Sequence, residues 1–359
     1  MITISLCMIL KDEEDVLDRC LSSVRGLVDE IIIIDTGSTD RTKQVALQYT
    51  DQVFDFAWID DFSAARNYAF SKANMEYCMW LDADDVIEEK ERPDFMNLKN
   101  ALTLDTDMVM LRYNTAFDNE GNPSFWYYRE RIIRNDQSHL WQGAVHEVIT
   151  PSGNVKYSDV AISHKKLRPG DPDRNLNIYK KLLAEGKRLS AREQYYYARE
   201  LYYHQLYNDA IKAFGTFLSM PEGWVEDKIE ACIMSAKCYL QIGKNDDALY
   251  TLFQSLQFDV PRAEVCCEIG DCLLKAEKYE TAVFWFQTAL DCKLDYRKGG
   301  FISPDCYGYI PAIQLCVCYD KLGNFEMAGR YNDIAGQYKP NAAAFLHNQA
   351  YFNKKLKSH

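Results

Sequence analysis

Four consecutive isoleucines, Ile31 to Ile34, stand between Glu30 and Asp35 and give way at once to Thr36, Gly37, Ser38, Thr39 and Asp40. A β-branched run with no polar position to turn outward is buried on both faces, as a strand is inside a parallel sheet covered by helices. The stretch therefore predicts an α/β layer architecture, and its neighbours keep the alternation that such a layer needs. Residues 3–10 form an apolar run of strand length, and residues 14–24 carry Val16, Leu17, Leu21 and Val24 at helical spacing. Thr39 or Asp40 can cap a helix starting near Thr42. Residues 53–56 read as a third strand, Ser63 as the cap of a helix reaching Ala73, and residues 77–81 as a fourth strand in a mostly parallel sheet.

The fourth strand ends in Asp82, Ala83, Asp84 and Asp85. Three negative charges at the end of a buried strand repel one another, and a divalent cation with a phosphate neutralises them. In parallel sheets ligands bind beyond the carboxyl ends of the strands, which is where Asp12, Asp35, Asp61 and the three aspartates fall. The plain alternative for the triplet is a solvated acidic turn capping the next helix, and for Asp35 a loop residue, since aspartate is common at turns.

At 359 residues and 47% hydrophobic content the chain suits two domains with a core each. Its net charge of −12 argues against nonspecific nucleic-acid binding. The apolar start lacks a basic leader region and is closed by Lys11, Asp12, Glu13 and Glu14 before it could span a membrane, which predicts a cytoplasmic chain with no membrane span. Twelve cysteines include no CxxC pair, so free, buried thiols acting as small apolar fillers are expected rather than disulfides or a zinc site.

Four blocks carry a resemblance. Leu6, Cys7, Met8 and Ile9 lead to Glu14; Asp29 to Asp35 leads to Thr36-Gly37-Ser38-Thr39-Asp40-Arg41-Thr42; Asp61-Phe62-Ser63-Ala64-Ala65-Arg66-Asn67 and Leu81-Asp82-Ala83-Asp84-Asp85 follow. Together they resemble family 2 glycosyltransferases of the GT-A fold, in the bacterial branch with tetratricopeptide repeats behind the catalytic domain. The resemblance implies that Asp35 contacts the nucleotide base, that Asp82 lies near the ribose and that Asp84 binds a metal. It also places Asp12, Glu13, Asp61 and Arg66 around the donor. Bidentate recognition of a diphosphate gives a physical reason for Arg66, against a surface salt bridge with Asp60 or Asp61. The family more often has Lys-Asn-Glu-Glu where this chain has Lys11-Asp12-Glu13-Glu14, and Asp-Ala-Asp-Glu where it has Asp85.

Beyond the acidic motif, residues 95–104 read as a helix, 108–113 as a strand, 118–123 as a turn and 125–133 as an aromatic-rich returning strand on the acceptor side. Trp141-Gln142-Gly143-Ala144-Val145-His146-Glu147 resembles the family's second-half motif. Glu147 there can take a proton from an attacking hydroxyl or thiol, with His146, Glu130 or Asp136 as alternative bases, or it can form a cross-strand ion pair on an exposed face. Residues 162–166 are the last expected sheet segment. In GT-A enzymes a late histidine completes the metal or diphosphate site, and His164 beside Asp82 and Asp84 suits Mn2+ better than Mg2+.

Past Pro169, Gly170 and Pro172 the pattern turns wholly helical, starting with a bridging helix over about 173–188 that carries Leu176, Ile178, Leu182 and Leu183. The expected division is 1–168, a linker over 169–189, and 190–359. In the last segment a small residue precedes an alanine by twelve positions in four copies, Ala198/Ala210, Ala236/Ala248, Gly270/Ala282 and Cys316/Ala328. Their 34- to 46-residue spacing is close to the tetratricopeptide period with insertions, the longest over 296–306. Phe214, Leu252 and Phe286 recur four after the alanine, whereas Asn332 breaks the fourth copy as a terminal repeat would. Pro261 and Pro340 sit at repeat ends, and Tyr195, Tyr196, Tyr197, Tyr202 and Tyr203 either pack the first repeat or line a peptide groove.

The resulting expectation is metal-dependent, inverting transfer of a sugar from a nucleotide donor, a UDP-sugar by the resemblance, to a peptide, protein or glycan acceptor. A homodimer through the repeats is among the arrangements such an array allows. Two rivals are a sugar nucleotidyltransferase, which should carry a glycine-rich loop where Lys11 to Glu14 stand, and a noncatalytic repeat scaffold with a relic donor domain.

Overall fold

The computed structural model describes residues 1–117, 121–168, 170–295, 300 and 302–355. The chain forms two compact units, Met1–Arg188 and Leu189–His359.

The first unit runs β1 (Ile4–Leu10), α1 (Leu17–Val24), β2 (Glu30–Asp35), α2 (Thr42–Ala46), β3 (Val53–Asp55), α3 (Phe62–Phe70), β4 (Tyr77–Trp80), β5 (Asp85–Val86), α4 (Arg92–Ala101), β6 (Met108–Phe117), β7 (Pro123–Arg134), β8 (Val155–His164) and α5 (Arg174–Ala184). Its eight strands make one sheet in the order β3-β2-β1-β4-β7-β6-β8-β5. The first four pair in parallel, and Leu10 lies opposite Asp35 while Cys7 lies opposite Trp80, so these strands end on one edge. Antiparallel pairing begins where β4 meets β7, and β6 returns to a parallel pairing with β8. Four of these seven strand pairings are parallel, and the long β6–β7 hairpin that enters beside β4 brings in the antiparallel part. One face packs Leu6, Met8, Met79 and Ile132 against α1 and α4 residues such as Leu17, Leu21 and Phe95; the other packs Cys7, Ile32, Ile34 and Trp80 against Ala69, Phe70 and Trp141. Ile32, Ile33 and Ile34 are fully covered, as the run requires.

Several local expectations change. The α3 cap is Asp61, whose Oδ1 accepts the Ala64 amide at 2.9 Å; Ser63 instead donates to that carboxylate at 2.7 Å. The helix expected over 95–104 starts three residues earlier, with Pro93 in its first turn, where a missing amide costs nothing. β8 spans Val155–His164, so it begins well before the expected 162–166 segment and ends two residues earlier. Of the 118–123 turn, residues 118–120 lie outside the described residues. α5, expected as a bridge between halves, belongs to the first unit, where Tyr179 donates to the Val145 carbonyl at 3.4 Å.

The second unit holds α6 (Ala191–Tyr203), α7 (Tyr207–Leu218), α8 (Val225–Gln241), α9 (Asn245–Gln254), α10 (Ala263–Lys275), α11 (Tyr279–Asp291), α12 (Tyr309–Lys321), α13 (Phe325–Tyr338) and α14 (Ala343–Lys355). Consecutive helices pack as hairpins, and all four small/alanine pairs are buried at their crossings. Gly270 shows why the position is small: a Cβ there would come within 2.7 Å of the Phe286 ring. Gly270→Ala is therefore expected to destabilise this unit by about 1–2 kcal/mol, overpacking outweighing alanine's better helix propensity. A urea titration of the repeat transition checks this, and a midpoint at or above the parent's would contradict it. Asn332, at 1% exposure, donates to the Phe345 carbonyl at 3.3 Å, so the fourth copy breaks pattern where α14 joins it. Tyr195 is core, against Phe214 and Phe217, whereas Tyr203 is exposed. The expected 296–306 insertion lies partly outside the described residues. All twelve cysteines are free thiols.

Candidate functional site

The loops after β1 and β2 are sewn together by the residues the sequence singles out. Asp12 adopts a left-handed φ of 54°, which asparagine and aspartate tolerate best, and its Oδ1 accepts the Thr39 amide at 2.7 Å. Asp35 is 1% exposed and accepts the Ser38 and Gly37 amides at 3.1 and 3.2 Å, with Lys43 at 3.5 Å. It therefore holds the shape of the loop from within. Glu13 faces the acidic motif: burial first, then the charges of Asp84 and Asp82, push its carboxyl up to about 7.

Arg66 joins blocks far apart in sequence. It is 7% exposed, donates from Nε to Glu147 at 2.6 Å and from Nη2 to Asp82 at 2.8 Å, and lies 4.7 and 4.8 Å from the Trp80 and Trp141 ring centroids. The surface salt bridge with Asp60 or Asp61 is not formed: Asp61 caps α3, and Asp60 pairs with Lys181. Nor is Glu147 in an exposed cross-strand pair, since its side chain is 12% exposed and bound to Arg66. Asn67 fixes this meeting by bonding both the amide and the carbonyl of Trp141, at 2.9 and 3.0 Å. Burial would raise the Asp82 carboxyl, but the guanidinium groups of Arg66 and Arg131 hold it at about 2. His146 stands at a left-handed φ of 53°, its Nε2 3.5 Å from the Asn175 amide nitrogen.

Ligand atoms of Asp84, Asp85 and His164 lie within 4.8 Å of one another, a set able to hold a cation. The structure thus groups Asp84 and His164 with Asp85 rather than with Asp82, whose carboxylate is turned to Arg66. His164 Nδ1 is 3.3 Å from an oxygen of each acid. Burial would lower its pKa, but bonds to Asp84 and Asp85 push it up to about 10.

Of the alternative bases, Asp136 is at the wrong end: Arg134 pairs with Tyr77, the first residue of β4, and Asp136 lies two residues further away, bound to Arg134. Glu130 is 3% exposed and paired with Arg129 at 3.0 Å. Sequence reasoning missed Arg131 and Tyr113, both wrapped around Asp85. An arginine directly before the apolar pair Ile132-Ile133 on a strand was the available signal.

Residues 5–151 match the model of the family described as Glycosyl transferase family 2. The first unit carries a family 2 glycosyltransferase domain. A TPR repeat-containing protein of Synechococcus elongatus is 48% identical over 85 residues, covering 24% of this chain and 21% of its own length. The SPbeta prophage-derived glycosyltransferase SunS of Bacillus subtilis is 26% identical over 148 residues, 40% of this chain and 34% of that protein. The chain thus spans a fifth to a third of the length of these curated relatives. Among solved structures, the TPR protein YrrB, described as having an unusual peptide-binding site, aligns with 50% of this chain and 84% of its own at 18% identity and a TM-score of 0.39. MamA aligns with 45% and 84% at 18% identity and a TM-score of 0.36. Among the described residues of this chain no helix is long and apolar enough to cross a membrane.

Proposed function

We propose that the glycosyltransferase domain moves a sugar from a UDP-sugar to an acceptor nucleophile, with inversion and with a divalent cation, Mn2+ or Mg2+. The carrying observation is the convergence of Asp82, Asp84 and His164 with the Arg66–Glu147 pair within a family 2 domain. Asp84 and His164 fit the cation through one carboxylate and one imidazole, a donor set that suits Mn2+. When bound, the ion neutralises charge developing on the diphosphate leaving group. Asp12, Glu13, Asp35 and Asp61 shape the donor side, and Asp82, kept charged by Arg66, faces the ribose.

On the acceptor side, Glu147 accepts the proton as the acceptor oxygen or sulfur bonds to the anomeric carbon and the bond to the UDP oxygen breaks. Arg66 orients that carboxylate through Oε1. His146 is the alternative base. The acceptor is a peptide, protein or glycan.

Two measurements bear on this reading. Glu147→Gln keeps shape and hydrogen bonding but takes no proton, so transfer at saturating donor should fall ~10²–10⁴-fold while donor affinity stays near the parent value. A parent rate and pH profile in that variant would move the base elsewhere. Separately, the bonds to Asp84 and Asp85 favour the protonated form of His164, whereas a metal-bound imidazole is neutral, so Mn2+ uptake should release a proton and tighten with rising pH. Calorimetry in buffers of different ionisation enthalpy reads this directly, and uptake without proton release would remove His164 from the ligand set.

A further inference from the structure

Asp85 is the most thoroughly engaged carboxylate of the acidic motif. Its side chain is wholly buried, as is that of its partner Arg131. Oδ2 accepts from Arg131 Nη1 at 3.0 Å and from the Asp82 amide at 3.1 Å. Oδ1 accepts from the Tyr113 hydroxyl at 2.9 Å and lies 3.3 Å from His164 Nδ1. The Arg131 guanidinium is held between the Trp80 ring at 3.7 Å and the Tyr113 ring at 4.3 Å, and it also donates to the Trp80 carbonyl at 3.1 Å. Every acceptor direction on Asp85 is thus served by a protein group, and a buried arginine neutralises its charge.

A cation taking Asp85 as a direct ligand would have to displace one of these donors and leave it unsatisfied in the interior, which costs more than the bond it replaces. Asp84 differs: its side chain is 20% exposed. Resting on the metal reading above, we propose that Asp85, Arg131 and Tyr113 form a buried positioning unit that aims His164 and Asp84 at the cation, and that Asp85 itself is not a ligand. The unit reaches both sides of the site at once. Through the Asp82 amide it fixes the turn that carries Asp82 and Asp84, and through Tyr113, whose hydroxyl is 3.0 Å from His164 Nδ1, it sets the plane of the imidazole. Outer partners of metal ligands are worth about 10–100-fold in affinity when lost.

Tyr113→Phe is the informative variant, because the ring stays in the core and only the hydroxyl goes. Mn2+ affinity of the full chain, read by calorimetry or by the spectrum of free Mn2+, should fall about 10-fold. At saturating Mn2+ the turnover rate should return to within a few-fold of the parent. If Asp85 were a direct ligand, removing the competing hydroxyl would leave affinity unchanged or tighten it, and that result overturns the proposal. Arg131→Met, with Arg131→Lys as its conservative counterpart, gives a second reading. A loss of Mn2+ affinity in folded Arg131→Met that Arg131→Lys partly restores supports the unit, while parent affinity in both overturns it. Failure of the parent to bind Mn2+ at all would sink the metal reading together with this proposal, whereas parent binding with unchanged variants sinks this proposal alone.

Discussion

Asp84→Ala is expected to remove metal-dependent UDP release from a UDP-sugar, a fall of about 10²-fold or more, with the fold intact. The carboxylate is partly exposed and shares a crowded acidic corner with Asp82 and Glu13, so its removal relieves repulsion rather than leaving a buried group unpaired. Burial and Asp84 are the first two causes that push Glu13 up, so the variant should also let Glu13 ionise at lower pH. UDP release with and without Mn2+, set beside a thermal melt, checks both halves. Parent turnover in a folded Asp84→Ala would contradict the assignment.

Arg66→Met should be costly in a different way. Glu147 would lose its counter-ion and, at 12% side-chain exposure, has little water to replace it, while Asp82 would lose one of the two guanidinium groups beside it. Asp82, at 40%, is better solvated and contributes less. Breaking such a buried pair costs about 3 kcal/mol, so the transition of the first unit should move markedly in urea while the repeat unit's does not. Transfer should fall as well, since Glu147 loses its orientation. Arg66→Lys should recover only part of either effect, because a single ammonium cannot reproduce the planar fork that reaches both acids. Parent stability and rate in Arg66→Met would mean that the pair is incidental.

The first four strands were legible because each is a short run closed by turn residues, and in β1, β2 and β4 burial on both faces leaves no competing pattern, whereas β3 is only partly covered. The eight small positions of the repeats were legible for a similar reason: crossing helices admit only small side chains there, and Gly270 against Phe286 makes the limit visible. β8 was half hidden because its first residues, Val155, Lys156, Tyr157, Ser158 and Asp159, are partly or fully exposed and carry no apolar signature. In the site, sequence placed Asp12, Asp35, Asp82 and Asp84 on one edge but could not show that Asp35 is internally bonded or that Asp61 spends its carboxylate as a helix cap. The Arg66–Glu147 contact spans 81 positions, so neither block announces the other. Arg131 and Tyr113 were invisible for the same reason. Each is an ordinary strand residue until the hairpin lays it against β4 and the acidic turn.

Released UDP, measured while the intact chain is incubated with a panel of UDP-sugars, first with Mn2+ and then with a chelator, bears on all of this at once. At least one UDP-sugar should yield UDP only with the ion, and adding Asp84→Ala in place of the parent should abolish that signal. No UDP release from any UDP-sugar with Mn2+ present, or equal release with the chelator, would contradict metal-dependent sugar transfer from a UDP donor.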